Sequence, residues 1–369
     1  MTGSSRRDGA QRVRITPAGP QGARGTAFAR AAGPGRILQV LLAVALLVLG
    51  IGAVGAARAL QGRDPHTVRI GYLATTTHAA AYVAQREGFA ERAVAAAGGS
   101  QERVSVQAFS SGPAVIEALN SGALDAAYLG PVPALNSYLN SDGRSLRILA
   151  GATSGGASLV VRSDITGAQQ LSGARLATPQ EGGSQDLALR AYLAEHGIGD
   201  AGIAHATGAQ VLTLFRQGRL DGAFLPEPWA SQLVAEGGAR VLVDERDLWP
   251  ERAFPTAVLV ANQDFLAAHP ELGRALRTAN AEAVDWLARR TGTAAGRAQI
   301  AALLEAGLSA DGQPVERDVL LDALGRMSFT TDPLAGTLST YWDRLRHLGT
   351  GETTAGADLD PEGILWSGT

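Results

Sequence analysis

The sequence predicts an α/β fold of two similar lobes joined by a hinge and preceded by an N-terminal hydrophobic helix. Three observations carry this. Short apolar runs alternate with helical stretches from Val68 to Leu129, the β-α-β-α-β order of a parallel sheet with helices on its faces. The same order recurs from Arg175 to Leu225. The halves also share letters: the stretch from Ser121 to Ala134 can be laid over that from Gln217 to Ala230 at an offset of 96 residues, pairing Gly122 with Gly218, Asp125 with Asp221, and Leu129 with Leu225. Two copies of one β-α unit are what two similar lobes would leave.

In the first half we expect strands at Val68–Leu73, Val104–Phe109 and Asp125–Leu129, with helices at Ala79–Ala97 and Pro113–Asn120. In the second half we expect strands at Arg175–Thr178, His205–Ala206 and Asp221–Leu225, with helices at Ser184–His196 and Ala209–Gln217. Leu146–Ala152 with Ser158–Arg162 leads out of the first lobe, and Thr256–Ala261 leads back. Two crossings make a hinge. Lobe 1 is therefore assigned to residues 67–153 and 256–369, and lobe 2 to 154–255. Beyond residue 262 the chain reads as mostly helical. Leu334, Leu338, Tyr341, Trp342, Leu345 and Leu348 form one apolar stripe, so their helix packs on a body. Ile364, Leu365 and Trp366 are expected to tuck onto a lobe.

The N-terminal part differs. Residues 1–36 carry seven arginines against one acid, Asp8, and read as a disordered basic arm. From Ile37 to Ala57 no residue is charged, and these 21 residues span roughly 30 Å as a helix, about the hydrocarbon thickness of a bilayer. Arginines before the run place the arm inside and the main body outside. Two readings fit: an uncleaved transmembrane anchor, or a signal segment cut after Ala57-Arg58-Ala59. Residues 58–66 read as a linker.

Composition limits the chemistry. Of 369 residues 46% are hydrophobic, enough for a sizeable core, and the net charge of −3 gives no support for nucleic-acid binding. There is no cysteine and no lysine. Thiol catalysis, disulfides, zinc–cysteine sites, lipidation at cysteine and Schiff bases are thereby excluded. HExxH, GxSxG, Walker and GxGxxG motifs are missing, and the six histidines lack metal spacing. No cofactor or metal is expected. Asp125 and Asp221 each precede a buried strand and read as structural, bonding the turn after the glycine.

The loops at the strand ends are more informative, because ligands of open α/β sheets sit beyond the carboxyl ends of the strands. Thr76, Thr77 and His78 follow the first strand, and Ser110 and Ser111 the second. Gly130 and Pro131 follow the third. Gly183, Ser184 and Gln185 enter a helix in the second half. Hydroxyls there can cap the helix or face a ligand. Free amides at helix starts suit a carboxylate, sulfonate or similar anion. His78 reads as a neutral hydrogen-bond partner or a packed cleft-edge residue. In Pro226-Glu227-Pro228-Trp229, Trp229 can wall a cleft or pack the lobe, and Glu227 can accept a hydrogen bond or meet a cation.

Several stretches together resemble a known family: Thr77-His78-Ala79, Ser121 to Pro131, Ala150 to Gly156, Ala177 to Gln180 with Gln185-Asp186, Pro226 to Ala230, and Val243 to Trp249. From about Val68 to Leu348 the chain looks like the aliphatic-sulfonate/taurine/nitrate class of ABC-transporter solute-binding proteins. The resemblance implies a two-lobed periplasmic-binding-protein-like (type II) fold and no catalysis. It implies a small organic anion in the interlobe cleft, and a membrane permease with a cytoplasmic ATPase as partners. It brings Ser154 and Gly155 into the expected ligand set with the loop residues above. Many such proteins have a lipidated cysteine or a short cleaved signal, and this chain has neither clearly. A ligand of another type, such as nitrate, a carboxylate or a pyrimidine-type compound, stays open. The rival is a pyrimidine-precursor synthase of related fold; it depends on a cysteine-containing motif and works in the cytoplasm, which the missing cysteine and the apolar run oppose.

Overall fold

The computed structural model describes residues 66–99, 102–348 and 359–368, all within a compact unit running from Arg63 to Thr369. The basic arm, the apolar run Ile37–Ala57 and most of the linker lie outside the described residues. Among the described residues no helix is long and apolar enough to cross a membrane.

Eleven strands form two sheets among the described residues. They are β1 (Thr67–Leu73), β2 (Arg103–Phe109), β3 (Ala126–Leu129), β4 (Leu146–Gly155), β5 (Ala157–Arg162), β6 (Arg175–Thr178), β7 (Gly202–His205), β8 (Gly222–Pro226), β9 (Ala239–Asp244), β10 (Pro255–Asn262) and β11 (Met327–Phe329). One sheet has the order β11-β4-β10-β3-β1-β2 and the other β7-β6-β8-β5-β9. β1 pairs in parallel with β2 and β3, as β6 does with β7 and β8. β10 runs antiparallel between β3 and β4, as β5 does between β8 and β9. The lobes are therefore two copies of one five-strand pattern, as the shared letters predict. The chain leaves the first sheet through β4 into β5 and returns from β9 into β10.

Twelve α-helices accompany the strands among the described residues, besides short 3-10 turns: α1 (Ala79–Arg86), α2 (Phe89–Gly98), α3 (Gly112–Asn120), α4 (Pro131–Asn140), α5 (Ser184–Glu195), α6 (Gly208–Arg216), α7 (Trp229–Gly237), α8 (Gln263–Ala268), α9 (Pro270–Thr291), α10 (Ala294–Ala310), α11 (Arg317–Leu324) and α12 (Ala335–Leu348). The single helix expected over Ala79–Ala97 is two, because Gly88 adopts φ +67° between them, a left-handed conformation that ends one helix and lets the next start at a new angle. β9 and β11 were not foreseen. β9 pairs with β5 and β11 with β4, positions decided by a sheet edge far along the chain.

The repeat reaches side chains. Asp125 Oδ2 accepts from Arg69 N (2.8 Å) and Nε (3.0 Å), and Oδ1 accepts from Nη2 (2.6 Å). Asp221 does the same with Arg175, at 2.8, 2.9 and 2.9 Å, and also accepts from Arg162 Nη1 at 2.7 Å. The return bonds match: Asp125 N donates to Arg69 O and Asp221 N to Arg175 O. Both carboxylates are structural, and each clamps the first strand of its lobe to the third.

Two apolar clusters each serve one lobe. A third is continuous through both: it joins Leu135 and Ile148 of the first lobe to Leu159 and Leu187 of the second, with Tyr341 and Trp342 of α12. The apolar stripe of α12 thus packs against α4 and α5 together.

The Arg175 hydrogen bonds hold the Asp221 carboxyl at about 2, against the opposing cost of burial. A carboxyl depressed below its unfolded value stabilises the fold above about pH 4 and loses that contribution as pH falls toward 2. Asp221→Asn is expected to lose about 1–3 kcal/mol at pH 7 and to flatten the acid limb below pH 4. Urea midpoints across pH 2–7 check this, and a variant as stable as wild type at pH 7 would count against the clamp.

Candidate functional site

The carboxyl ends of the parallel strands in both sheets open onto one cleft of about 260 Å³. From the first lobe, the turn after β1 brings Thr77 and His78, the end of β2 brings Phe109, Ser110 and Ser111, and the end of β3 brings Gly130. From the second lobe come Gln180, Ser184 and Gln185 after β6, Thr207 and Gly208 after β7, and Pro226 with Trp229 after β8. Five helices begin at these residues. Ser111, Gly130 and Thr207 precede the first residues of α3, α4 and α6; Ser184 and Trp229 open α5 and α7. The positive ends of their dipoles meet at the cleft, while Gly112 N, Val132 N, Gln210 N and Ser231 N already donate within the protein.

The lobes bond to each other across its rim. Gly112 N donates to Gln180 Oε1 at 3.1 Å, Val132 N to Ser184 Oγ at 3.4 Å, and Asn136 Nδ2 to Gly182 O at 3.4 Å. Glycine permits this approach: a Cβ on Gly130 would lie 2.9 Å from Ser184 Oγ. On the second lobe a Cβ on Gly208 would fall 2.1 Å from the Trp229 ring, so the backbone at the start of α6 fixes the indole as a rigid wall.

His78 is 2% exposed. Burial pushes its imidazole down to about 3, so it is neutral near pH 7. Leu73 N donates to Nδ1 at 3.0 Å, which places the ring proton on Nε2. Thr77 Oγ1 pairs with Thr75 Oγ1 at 2.8 Å, and Thr153 Oγ1 donates to Thr77 O at 2.7 Å. Behind Gln185, Asp186 is buried; burial raises its carboxyl, but hydrogen bonds from Arg190, Gly182 N and His205 win and hold it below the usual range.

Of the residues singled out in sequence, Thr77, His78, Ser110, Ser111, Gly130, Ser184, Gln185 and Trp229 meet at the cleft. The others do not line it. Thr76 is fully buried in the turn, Pro131 is buried in the first turn of α4, and Gly183 precedes α5 with its backbone packed on the Gln180 side chain. Ser154 and Gly155 were expected in a cleft loop but end the long strand β4. Ser154 Oγ accepts from Phe254 N, and Gly155 N donates to Phe254 O, so both belong to the crossing between lobes. Glu227 turns away from the cleft. It is fully buried, its Oε2 accepts from Ser231 N at 2.9 Å, and its Oε1 lies 3.4 Å from Arg326 Nε.

Sequence reasoning missed Phe109, Thr207, Gly208 and Gln313 of the lining. One signal was present: Thr207 with Gln210 is a capping box, confirmed by Gln210 N donating to Thr207 Oγ1 and Thr207 N to Gln210 Oε1. It marks a helix start at the end of a strand. Gln313 follows α10, far along the chain, and nothing local points to the cleft.

Burial raises the Glu227 carboxyl to about 7, against the hydrogen bonds from Ser231 and the Arg326 charge. A carboxyl raised above its unfolded value stabilises the fold fully below about pH 4.5 and loses that contribution as pH rises to about 7. Glu227→Gln is expected to remove on the order of 2 kcal/mol of stability change between pH 4.5 and 7.5. Thermal melts at matched ionic strength read it, and parallel slopes for variant and wild type would contradict this account of Glu227.

The chain is similar to several known proteins. A binding protein of Brucella abortus (strain 2308) is 26% identical over 212 residues, covering 56% of this chain and 65% of that one. The taurine-binding periplasmic protein of Escherichia coli (strain K12) is 28% identical over 169 residues, covering 45% and 52%. The chain thus spans less than two thirds of the length of these curated relatives. The alkanesulfonate-binding protein SsuA from Xanthomonas axonopodis pv. citri, solved bound to MOPS, superposes with a TM-score of 0.66 at 21% identity, covering 82% of this chain and 99% of that one. That likeness establishes a shared two-lobed fold. The NMT1-like family profile matches residues 61–304, well over half of the sequence, and the chain belongs to the NMT1-like family.

Proposed function

We propose that this protein is the substrate-binding component of an ABC importer, taking a small organic anion of the sulfonate type into the interlobe cleft and releasing it unchanged to a membrane permease. The observation that carries the reading is the convergence of five helix starts, from both lobes, on one cleft whose rims bond across it. Dipole ends so arranged favour an anion, and a ligand that touches both lobes stabilises the closed arrangement over the open one. The strands that cross between lobes, β4 to β5 and β9 to β10, serve as the hinge. The relatives' names support capture outside the cytoplasmic membrane. The Ile37–Ala57 run, uncharged and preceded by arginines, is the segment that exports or tethers the body.

Calorimetry of the full-length chain against alkanesulfonates, carboxylates and nitrate is expected to give one stoichiometric binding step, with the ligand recovered chemically intact. Trp229→Ala is expected to weaken that step at least tenfold. Chemical turnover of any of these compounds would refute the binding-protein reading.

A further inference from the structure

The cleft contains none of the charges that a zwitterion or a dianion would need. Among the described residues no Asp, Glu, Lys or Arg lines it. Acidic side chains next to the lining are already engaged, Glu227 by Ser231 N and Arg326. Asp186 is held by Arg190, His205, Thr178 and Gly182 N. Asp311, two residues before the lining Gln313, accepts both Tyr72 and Tyr82 hydroxyls on Oδ2, at 2.8 and 2.6 Å. The wall is instead apolar where Leu73, Phe109, Pro133, Pro179, Pro226 and Trp229 face it.

One polar group stands out against that wall. With Nδ1 taken by Leu73 N, the Nε2–H of His78 is the donor this ring has left, on a side chain that is 2% exposed and lines the cleft. A donor that lines the cleft can meet a ligand acceptor there.

We propose that the cleft selects ligands with one delocalised negative charge and a flat apolar body, that it rejects those carrying an ammonium, and that His78 Nε2–H is a specificity-determining donor to the anionic head. The inference rests on the anion-binding reading above and narrows its ligand class. Helix starts supply partial positive charge, which suits one spread negative charge. An ammonium meets those same positive ends with no carboxylate to receive it, and a second negative charge is desolvated without a counter-ion. Both are excluded by what the cleft omits. The flat body is favoured by Phe109 and by the indole held against Gly208.

Calorimetry of the full-length chain with four probes tests this: ethanesulfonate, taurine, benzenesulfonate and sulfate. Taurine differs from ethanesulfonate by its ammonium, and benzenesulfonate by its ring. We expect ethanesulfonate to bind at least tenfold tighter than taurine, benzenesulfonate at least tenfold tighter than ethanesulfonate, and sulfate weakest. His78→Ala is expected to weaken benzenesulfonate at least tenfold, with His78→Gln, which keeps a side-chain N–H, recovering part of the loss. Taurine binding as tightly as ethanesulfonate overturns the selectivity and leaves anion capture standing, and so does benzenesulfonate binding no tighter than ethanesulfonate. Silence from all four probes, with carboxylates and nitrate also silent, overturns the anion-binding reading together with this inference. A His78→Ala variant that melts as wild type and binds benzenesulfonate equally removes His78 from the site; if that variant does not fold, the probe ranking decides the selectivity and His78→Gln decides the role of the donor.

Discussion

The clamp between an aspartate at the start of the third strand and an arginine on the first sets the frame for everything else. Asp125 with Arg69, and Asp221 with Arg175, each combine a bidentate ion pair with a bond from the arginine's own backbone amide. The pair therefore fixes strand register as well as strand contact. Once β1 and β3, or β6 and β8, are locked at one end, their carboxyl ends are placed at the other. The loops that line the cleft begin at those ends. A slip of one residue would exchange Ala126 and Tyr128 with Ala127 and Leu129 between the two apolar clusters they serve.

That frame explains how a cleft without ionic side chains can still have a polarity. Helices that follow parallel strands all start at the same edge of the sheet, so their dipoles point the same way. Two such sheets facing each other double the effect. The neutral His78 adds a donor without adding charge, and burial keeps it so.

The lobes are joined in two different manners. Across the cleft the contacts are few and polar: Gly112 with Gln180, Val132 with Ser184, Asn136 with Gly182. Behind it the contact is a continuous apolar core that includes Tyr341 and Trp342. Each bond at the rim contributes about 1 kcal/mol, whereas burying a single large apolar side chain contributes about 1.5–3 kcal/mol. The rim contributes the weaker contacts, and α12 packs behind the cleft.

The sequence by itself determined the alternation of strands and helices, the duplication of the lobe, and the position of most loops at strand ends. These are local properties: periodicity, capping residues and turn glycines act within a few residues of one another. It also determined eight of the residues that meet at the cleft, because a helix start after a parallel strand has one place to be. The direction of side chains at those loops was decided by tertiary structure. Glu227 sits two residues from Trp229, yet one is pulled inward by Ser231 N and Arg326 while the other walls the cleft. Ser154 and Gly155 became part of the crossing because Phe254, a hundred residues on, pairs with them. Gln313 reached the cleft, and β11 reached the sheet edge, through contacts that no window of sequence contains. Partners so distant in the chain are chosen by packing, and packing exists only once the lobes have formed.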